Sequence, residues 1–408
     1  MKGKGEKMKK KWLLALCVTG IGCGGKQADT VTIGAIMSQT GSLATIGQEE
    51  LQAAQLAVDE INAAGGVLGG SRLALINADD KSDPAGATAA ATTLVASDHV
   101  PAIVGAIASG STIPASMVSS PANVVMISDT STSPQITGMS PFLFRTCPSD
   151  ALQGKLIAKR AMAEGLTSVA ITYVPGPYGS GLADTFASSF TALGGTVTYQ
   201  QMYTEGQPSY AGLLGAIYAT NPQAILLIAY PVDGAQIIKD YNSAFASKQT
   251  TWFFTDAIED PSFVQAVGAN NFTFKHEGTG SSQPSGPAYS AYAAAYNATY
   301  GRAPDPGTFS ANVYDATYLV ALAIEQAGKA DGSAIAAALR GVADSPGTTV
   351  GPGQWAAALA AIHAGSDVDY DGASGPVDVD GSGDVIAPYD IWKVEGGAIT
   401  TTEKSVSP

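Results

Sequence analysis

Hydroxyl, aromatic and carboxylate side chains recur at the ends of short apolar runs, and these types suit holding a small charged molecule. After the run AIVG comes AIASGST, where Ser109, Gly110, Ser111 and Thr112 open a helix. Free backbone N–H groups there, aided by hydroxyls, suit a carboxylate. DTSTSP brings Thr130 and Thr132, PGPYG puts Tyr178 at a helix start, Tyr230 follows LLIA, and TWFFTD ends on Asp256. Together they offer donors for an anion, aromatic walls and one acid for a cation, the three things an α-amino acid requires. Each also has a purely structural reading. Ser109 and Ser111 could cap a helix, Tyr178 could be a packed turn aromatic, and Asp256 could cap the next segment. Thr132 could be an ordinary loop hydroxyl and Tyr230 only wall.

A second set of acids, in DVDYDGASGPVDVDGSGDV, has the offsets of a calcium loop: Asp367, Asp369, Asp371, Gly372 and Asp378. Such a loop needs a helix on both sides and a bidentate glutamate at its last position. Here Gly375-Pro376 interrupts it, the last acid is aspartate, and VDVDGSGDV reads as strand and turn, with Asp380-Gly381 as the bend. The acids are expected to form turns. His99, His276 and His363 are far apart and in no metal-ligand spacing, and are expected at the surface or at edges. GGVLGG follows a helix and precedes a strand, the reverse of a dinucleotide fingerprint. No serine sits in a G-x-S-x-G elbow and no histidine stands in the candidate loops. We expect no enzyme, no metal and no cofactor.

The elements that would position these residues alternate strand and helix. VTIGAIM leads through SQTGSLATIG to a helix with Leu51, Ala54, Val58 and Ile61 on one face, Glu49 and Glu50 in its first turn, and Gly65 as stop. RLALINA follows, then Asp83-Pro84 as cap and first turn of the next helix, then AIVGAI and VVMIS. After Asp150 the pattern restarts with SVAITYV, GTVTYQQMY, AILLIAY and TWFFTD between helices, one carrying Leu182, Phe186, Phe190 and Leu193 on a face. Short, nearly continuous apolar strands between amphipathic helices imply parallel sheets covered on both faces, hence an α/β fold of two doubly wound lobes. Ligands of such sheets sit beyond the carboxyl ends of the strands, where the hydroxyl-bearing loops fall.

The chain has 408 residues, 45% of them hydrophobic and 14% charged, enough for two domains with large cores. MKGKGEKMKKKWLLALCVTGIG reads as a cleaved signal peptide over residues 1–22, too short in its apolar part to span a bilayer. Its loss leaves 15 basic and 34 acidic residues, a net charge of −19. A surface so acidic repels phosphate backbones and anionic lipid. Cys23 before Gly24-Gly25 resembles a bacterial lipoprotein cleavage site, although Gly20 departs from the aliphatic residue usual there; release without lipid is the alternative. Residues 23–30 would be the anchored linker. Cys147 would then be the one cysteine of the body, with no partner for an internal disulfide.

IGAIMSQTGSLATIGQEELQAAQLAVDEINAAGG, ADDKSDP, PFLFRTCPSDALQG, PYGSGLADTF, FSANVYDATYLVALAIEQAG and DVDYDGASGPVDVD together resemble the leucine/isoleucine/valine-binding family of periplasmic substrate-binding proteins of ABC transporters. The resemblance runs in register from about Val31 to about Val394. It implies a type I periplasmic-binding fold with a three-strand hinge, residues 31–148 plus 278–388 forming the N-terminal lobe and 149–277 plus 389–408 the C-terminal lobe. It implies that Ser109 binds the ligand carboxylate, the Thr130 backbone binds the ammonium, and Thr132 touches both. Tyr178 would contribute from the second lobe, Tyr230 would line the side-chain pocket, and Asp256 would pair with the ammonium. Ile46 stands where many members have an aromatic residue on the ligand side chain, and Asp256 where branched-chain binders have glutamate, so the preferred side chain stays open. The expected protein is a monomeric, exported amino-acid binder that docks on a membrane permease. The alternatives are a ligand-sensing module for a membrane receptor, or a binder of another small solute such as an amide or aromatic acid.

Overall fold

The computed structural model describes residues 29–282 and 285–407, so the leader and Cys23 lie outside the described residues. The first half runs β1 (Thr30–Ile36), α1 (Ala44–Ala63), β2 (Arg72–Asn77), α2 (Pro84–Ala96), β3 (Ala102–Gly105), α3 (Ser109–Ser119), β4 (Val125–Ser128) and β5 (Leu143–Arg145). These strands form a parallel sheet in the order β2-β1-β3-β4-β5. Alternate residues of one strand enter different cores. Ala102 and Val104 pack with Ala53, Ala57 and Ile61 of α1, whereas Ile103 packs with Ala87, Ala91 and Leu94 of α2. The apolar runs are thus covered on both faces, as a parallel sheet requires.

The chain continues through α4 (Asp150–Ala163), β6 (Ser168–Tyr173), α5 (Pro177–Ala192), β7 (Thr196–Met202), α6 (Ala211–Ala219), β8 (Ala224–Ile228), α7 (Pro231–Ala244), β9 (Thr251–Phe254), α8 (Pro261–Val267) and β10 (His276–Ser281). It returns to the first lobe with α9 (Pro287–Tyr300), α10 (Ser310–Ala327), α11 (Gly332–Ala343), β11 (Thr348–Val350), α12 (Trp355–His363), β12 (Val368–Gly372) and β13 (Gly375–Pro376), and ends in β14 (Tyr389–Glu395) and β15 (Ala398–Val406). The second sheet has the order β15-β14-β10-β9-β8-β6-β7, and β14 and β15 run antiparallel at its edge, which apolar periodicity had not signalled. β10 pairs with β9 and β14 inside this sheet, so a lobe boundary at 277/278 would cut a strand; the crossing follows Ser281.

Three connections join the lobes and touch one another. Pro148 bridges to Val385, the Ser282 N–H donates to the Pro388 carbonyl at 3.0 Å, and the Tyr389 hydroxyl donates to the Ser149 carbonyl at 3.0 Å.

Several local expectations change in the folded chain. α1 begins at Ala44, so Glu49 and Glu50 fall beyond its first turn, and both are buried. The earlier start is possible because Gly47 lies against β1's exit: a Cβ there would come within 2.0 Å of the Ser38 carbonyl. Leu193 is 47% exposed as the residue capping α5, off the face that Leu182, Phe186 and Phe190 bury. His276 is packed in β10, its Nε2 accepting from the Val394 N–H at 3.0 Å, and burial lowers its pKa. The acidic segment is strand, turn and strand. Asp380 accepts from the N–H groups of Ser382 and Asp384, forming the expected bend, while the turn at Ala373 and Ser374 is held by Asp315 of α10, which accepts from both N–H groups at 2.7 Å.

Candidate functional site

The loops at the carboxyl ends of β3, β4, β6, β8 and β9 face one another across the lobes. They bring Ser109, Thr130, Thr132, Tyr178, Tyr230 and Asp256 to the wall of one cleft, which Ile46 of α1 also lines. Local sequence explains each placement. α3 starts without a side-chain cap because Ala108 precedes it, leaving its first N–H groups open to the cleft. Ser109 Oγ accepts from the Ser133 N–H at 3.2 Å, and Ser111 Oγ, buried behind it, has no partner. Proline at the first turns of α5 and α7 fixes where Tyr178 and Tyr230 leave the sheet, and their rings stack at 5.9 Å.

The electrostatics are acidic and unmatched from within. Asp256 is 9% exposed and receives the Tyr178 hydroxyl at 3.0 Å. Burial raises its pKa, while Gln153 and Tyr178 oppose the rise. Asp150, wholly buried, accepts from the Thr132 hydroxyl at 2.9 Å. Its pKa is pushed well up, first by burial and then by the charge of Asp256. Tyr178 is held protonated by burial and by the same two acids, and so remains a donor. No lysine, arginine or histidine lines the cleft. The nearby Arg145 is committed to Asp384 at 2.7 Å. Two neighbouring acids without an internal base make a site that a cation would stabilise.

Sequence reasoning missed Leu43, Ile107, Gly307 and Phe309 in the wall, and Asp150, which is buried within the field of Asp256. Asp150 had been read only as the point where the strand pattern restarts; its place one residue after the capping Ser149, on the helix leaving the first crossing, was the available signal. Phe309 takes a left-handed φ of 52° just after Pro306-Gly307, a loop whose sequence gives no hint that it returns to the cleft. The Thr130 hydroxyl lies 2.8 Å from Glu50 and from Asp129, a buried carboxyl pair.

A fold of two α/β lobes with a loop-lined cleft between them defines a type I periplasmic binding protein. The chain belongs to that family: residues 30–395 match the family model for periplasmic binding proteins. It is 31% identical over 329 residues to the Leu/Ile/Val-binding protein BraC3 of Rhizobium johnstonii, spanning 79% of this chain and 86% of that one. It is 27% identical to the chemotactic signal transduction system substrate-binding protein BasB of Halobacterium salinarum, spanning 91% and 89%. The crystal structure of a leucine-binding protein, LivK, from Thermotoga maritima superposes with a TM-score of 0.79 at 25% identity, spanning 93% and 99%.

Proposed function

We propose that this protein captures a free α-amino acid between its lobes and delivers it to an ABC permease. The observation that carries the reading is the meeting, in one cleft, of Asp256, whose field the buried Asp150 shares, with an uncapped helix start flanked by hydroxyls. The ligand ammonium would sit beside Asp256 and Asp150, its carboxylate at Ser109 and the first N–H groups of α3, with Thr132 between them. Ile46, Tyr230 and Phe309 would then receive the side chain. Closure strips water from both charged ends, so a molecule lacking either one leaves buried groups unsatisfied. The names of BraC3 and LivK support an amino-acid ligand.

Isothermal titration with the twenty amino acids tests this, together with their N-acetyl and methyl-ester forms. We expect free amino acids to bind and both blocked forms to fail. Asp256→Ala should weaken the best ligand by at least ~30-fold, the lower range for stripping a partner from a buried charge. Unchanged affinity in that variant, with native circular dichroism, would remove the ammonium assignment.

Export and lipid attachment through Cys23 complete the reading, and mass spectrometry of the mature N-terminus tests both. An N-terminus still bearing Met1 would sink them. BasB favours a second reading, in which the loaded form reports to a membrane receptor; co-purification with a permease rather than a receptor decides between them.

A further inference from the structure

The cleft does not end at Asp256. Asp256, Gly307 and Phe309 also line a second, adjoining recess, whose wall continues through Glu259 and Asp305. Gly307 keeps side-chain atoms out of the junction, and it must be glycine, since a Cβ would approach the Glu259 carbonyl to 2.4 Å. Glu259 is the unusual group. It is 8% exposed, and its carboxyl accepts no hydrogen bond and meets no base among the described residues. Burial first, then the charges of Asp256 and Asp390, push its pKa well up. Among the described residues nothing offsets its desolvation.

Arg302 binds Glu49 at 2.6 Å and lines neither chamber. No lysine, arginine or histidine lines the second chamber either. Among the described residues no three His, Cys, Asp or Glu side chains are grouped to hold a metal ion. The negative charge is spread along a wall, as an extended organic cation would meet it.

We propose that this second chamber receives a positively charged group at the far end of the ligand, making the preferred solute an α-amino acid with a cationic side chain. The proposal rests on the amino-acid reading above. The α-ammonium and α-carboxylate stay at Asp256 and Ser109, while the side chain passes Gly307 and Phe309 to Glu259 and Asp305. Phe309 contacts the methylene stem, and the two carboxylates supply the charge-assisted hydrogen bonds that a terminal ammonium or guanidinium requires.

The test compares lysine with norleucine, which has the same stem and lacks the charge. Titration of the mature chain should show lysine, ornithine or arginine bound at least ~30-fold more tightly than norleucine, the lower range for a buried charge pair. Glu259→Gln should shrink that ratio at least tenfold. Should the glutamine variant fail to fold, Asp305→Asn on the partly exposed loop carries the same comparison. Norleucine or leucine bound as tightly as lysine, or a ratio untouched by both variants, would overturn the proposal and leave the amino-acid reading standing. Failure of every free amino acid to bind would overturn both.

Discussion

Acids decide the behaviour of this protein at the level of single residues, and they fall into sets with different roles. Asp256 faces the cleft, where a ligand can supply the missing cation, and Asp150 is buried within its field. Glu50 and Asp129 face each other inside the first lobe, where nothing can. Both members of the latter pair have raised pKa values, first through burial; for Glu50 the charge of Asp129 comes next, and Asp129 is pushed up to about 6. Because the folded values exceed the unfolded ones of roughly 4, the pair's stabilising contribution is complete below pH ~4. It is lost as pH rises through about 6 and beyond. Glu50→Gln stays neutral and can still hydrogen-bond Asp129 and Thr130. We expect the stability lost by the parent between pH 5 and pH 8 to shrink in this variant by about 1–3 kcal/mol. Urea unfolding at the two pH values measures it, and an identical loss in both proteins would show that the pair does not hold a proton in the folded state.

Among elements, the short ones at the lobe boundary carry more than their length suggests. β5 is only Leu143–Arg145, yet Arg145 is wholly buried and ties two hinge connections together. Its Nε donates to Asp384 Oδ1 and its Nη2 to Asp384 Oδ2, each at 2.7 Å, while Nη1 donates to the carbonyls of Ser131 and Ser133. That fork fixes the start of the loop bearing Thr130 and Thr132 against the last return of the chain. Removing one partner of a buried pair strands the other. Asp384→Ala should therefore cost about 3–5 kcal/mol of unfolding free energy, read from denaturant midpoints. A loss no larger than for a surface substitution would mean that the pair contributes little. The acids of 367–385 show the same economy: Asp384 is a hinge anchor and Asp380 a turn former, in a segment whose spacing imitates a calcium loop.

For the whole molecule, function depends on how closely the two lobes approach. They touch where α5 meets the loop after β4: the Ser133 hydroxyl donates to the Pro177 carbonyl at 2.8 Å. Gly181 lies beside Pro134 with no room for a side chain, since a Cβ there would come within 2.7 Å of the proline ring. Gly181→Leu should fold, because each lobe keeps its own core, but should hold the lobes apart. If the closed population falls tenfold, apparent affinity falls about tenfold with it. Small-angle scattering with saturating ligand should then show a larger radius of gyration than for the parent. Parental compaction and affinity would show that this contact does not limit closure.

The sequence by itself determined the class of fold and the loops that matter. Strand runs such as AIVG and AILLI, the Asp83-Pro84 helix start, and the prolines next to Tyr178 and Tyr230 act through neighbours in the chain, and local backbone preference and apolar period express them directly. Six polar or aromatic residues were legible because each stands where a strand closes or a helix opens, and Ile46 only through the family resemblance. Tertiary structure alone decided their joint placement around one cavity. It also decided that Asp150 shares the field of Asp256, that Phe309 returns to the cleft, and that Glu259 is buried without a counter-charge among the described residues. It set the antiparallel β14–β15 edge as well. Those facts are sums over residues far apart in the chain: desolvation and Coulomb repulsion act through space, and no spacing in a sequence encodes the distance at which two lobes meet.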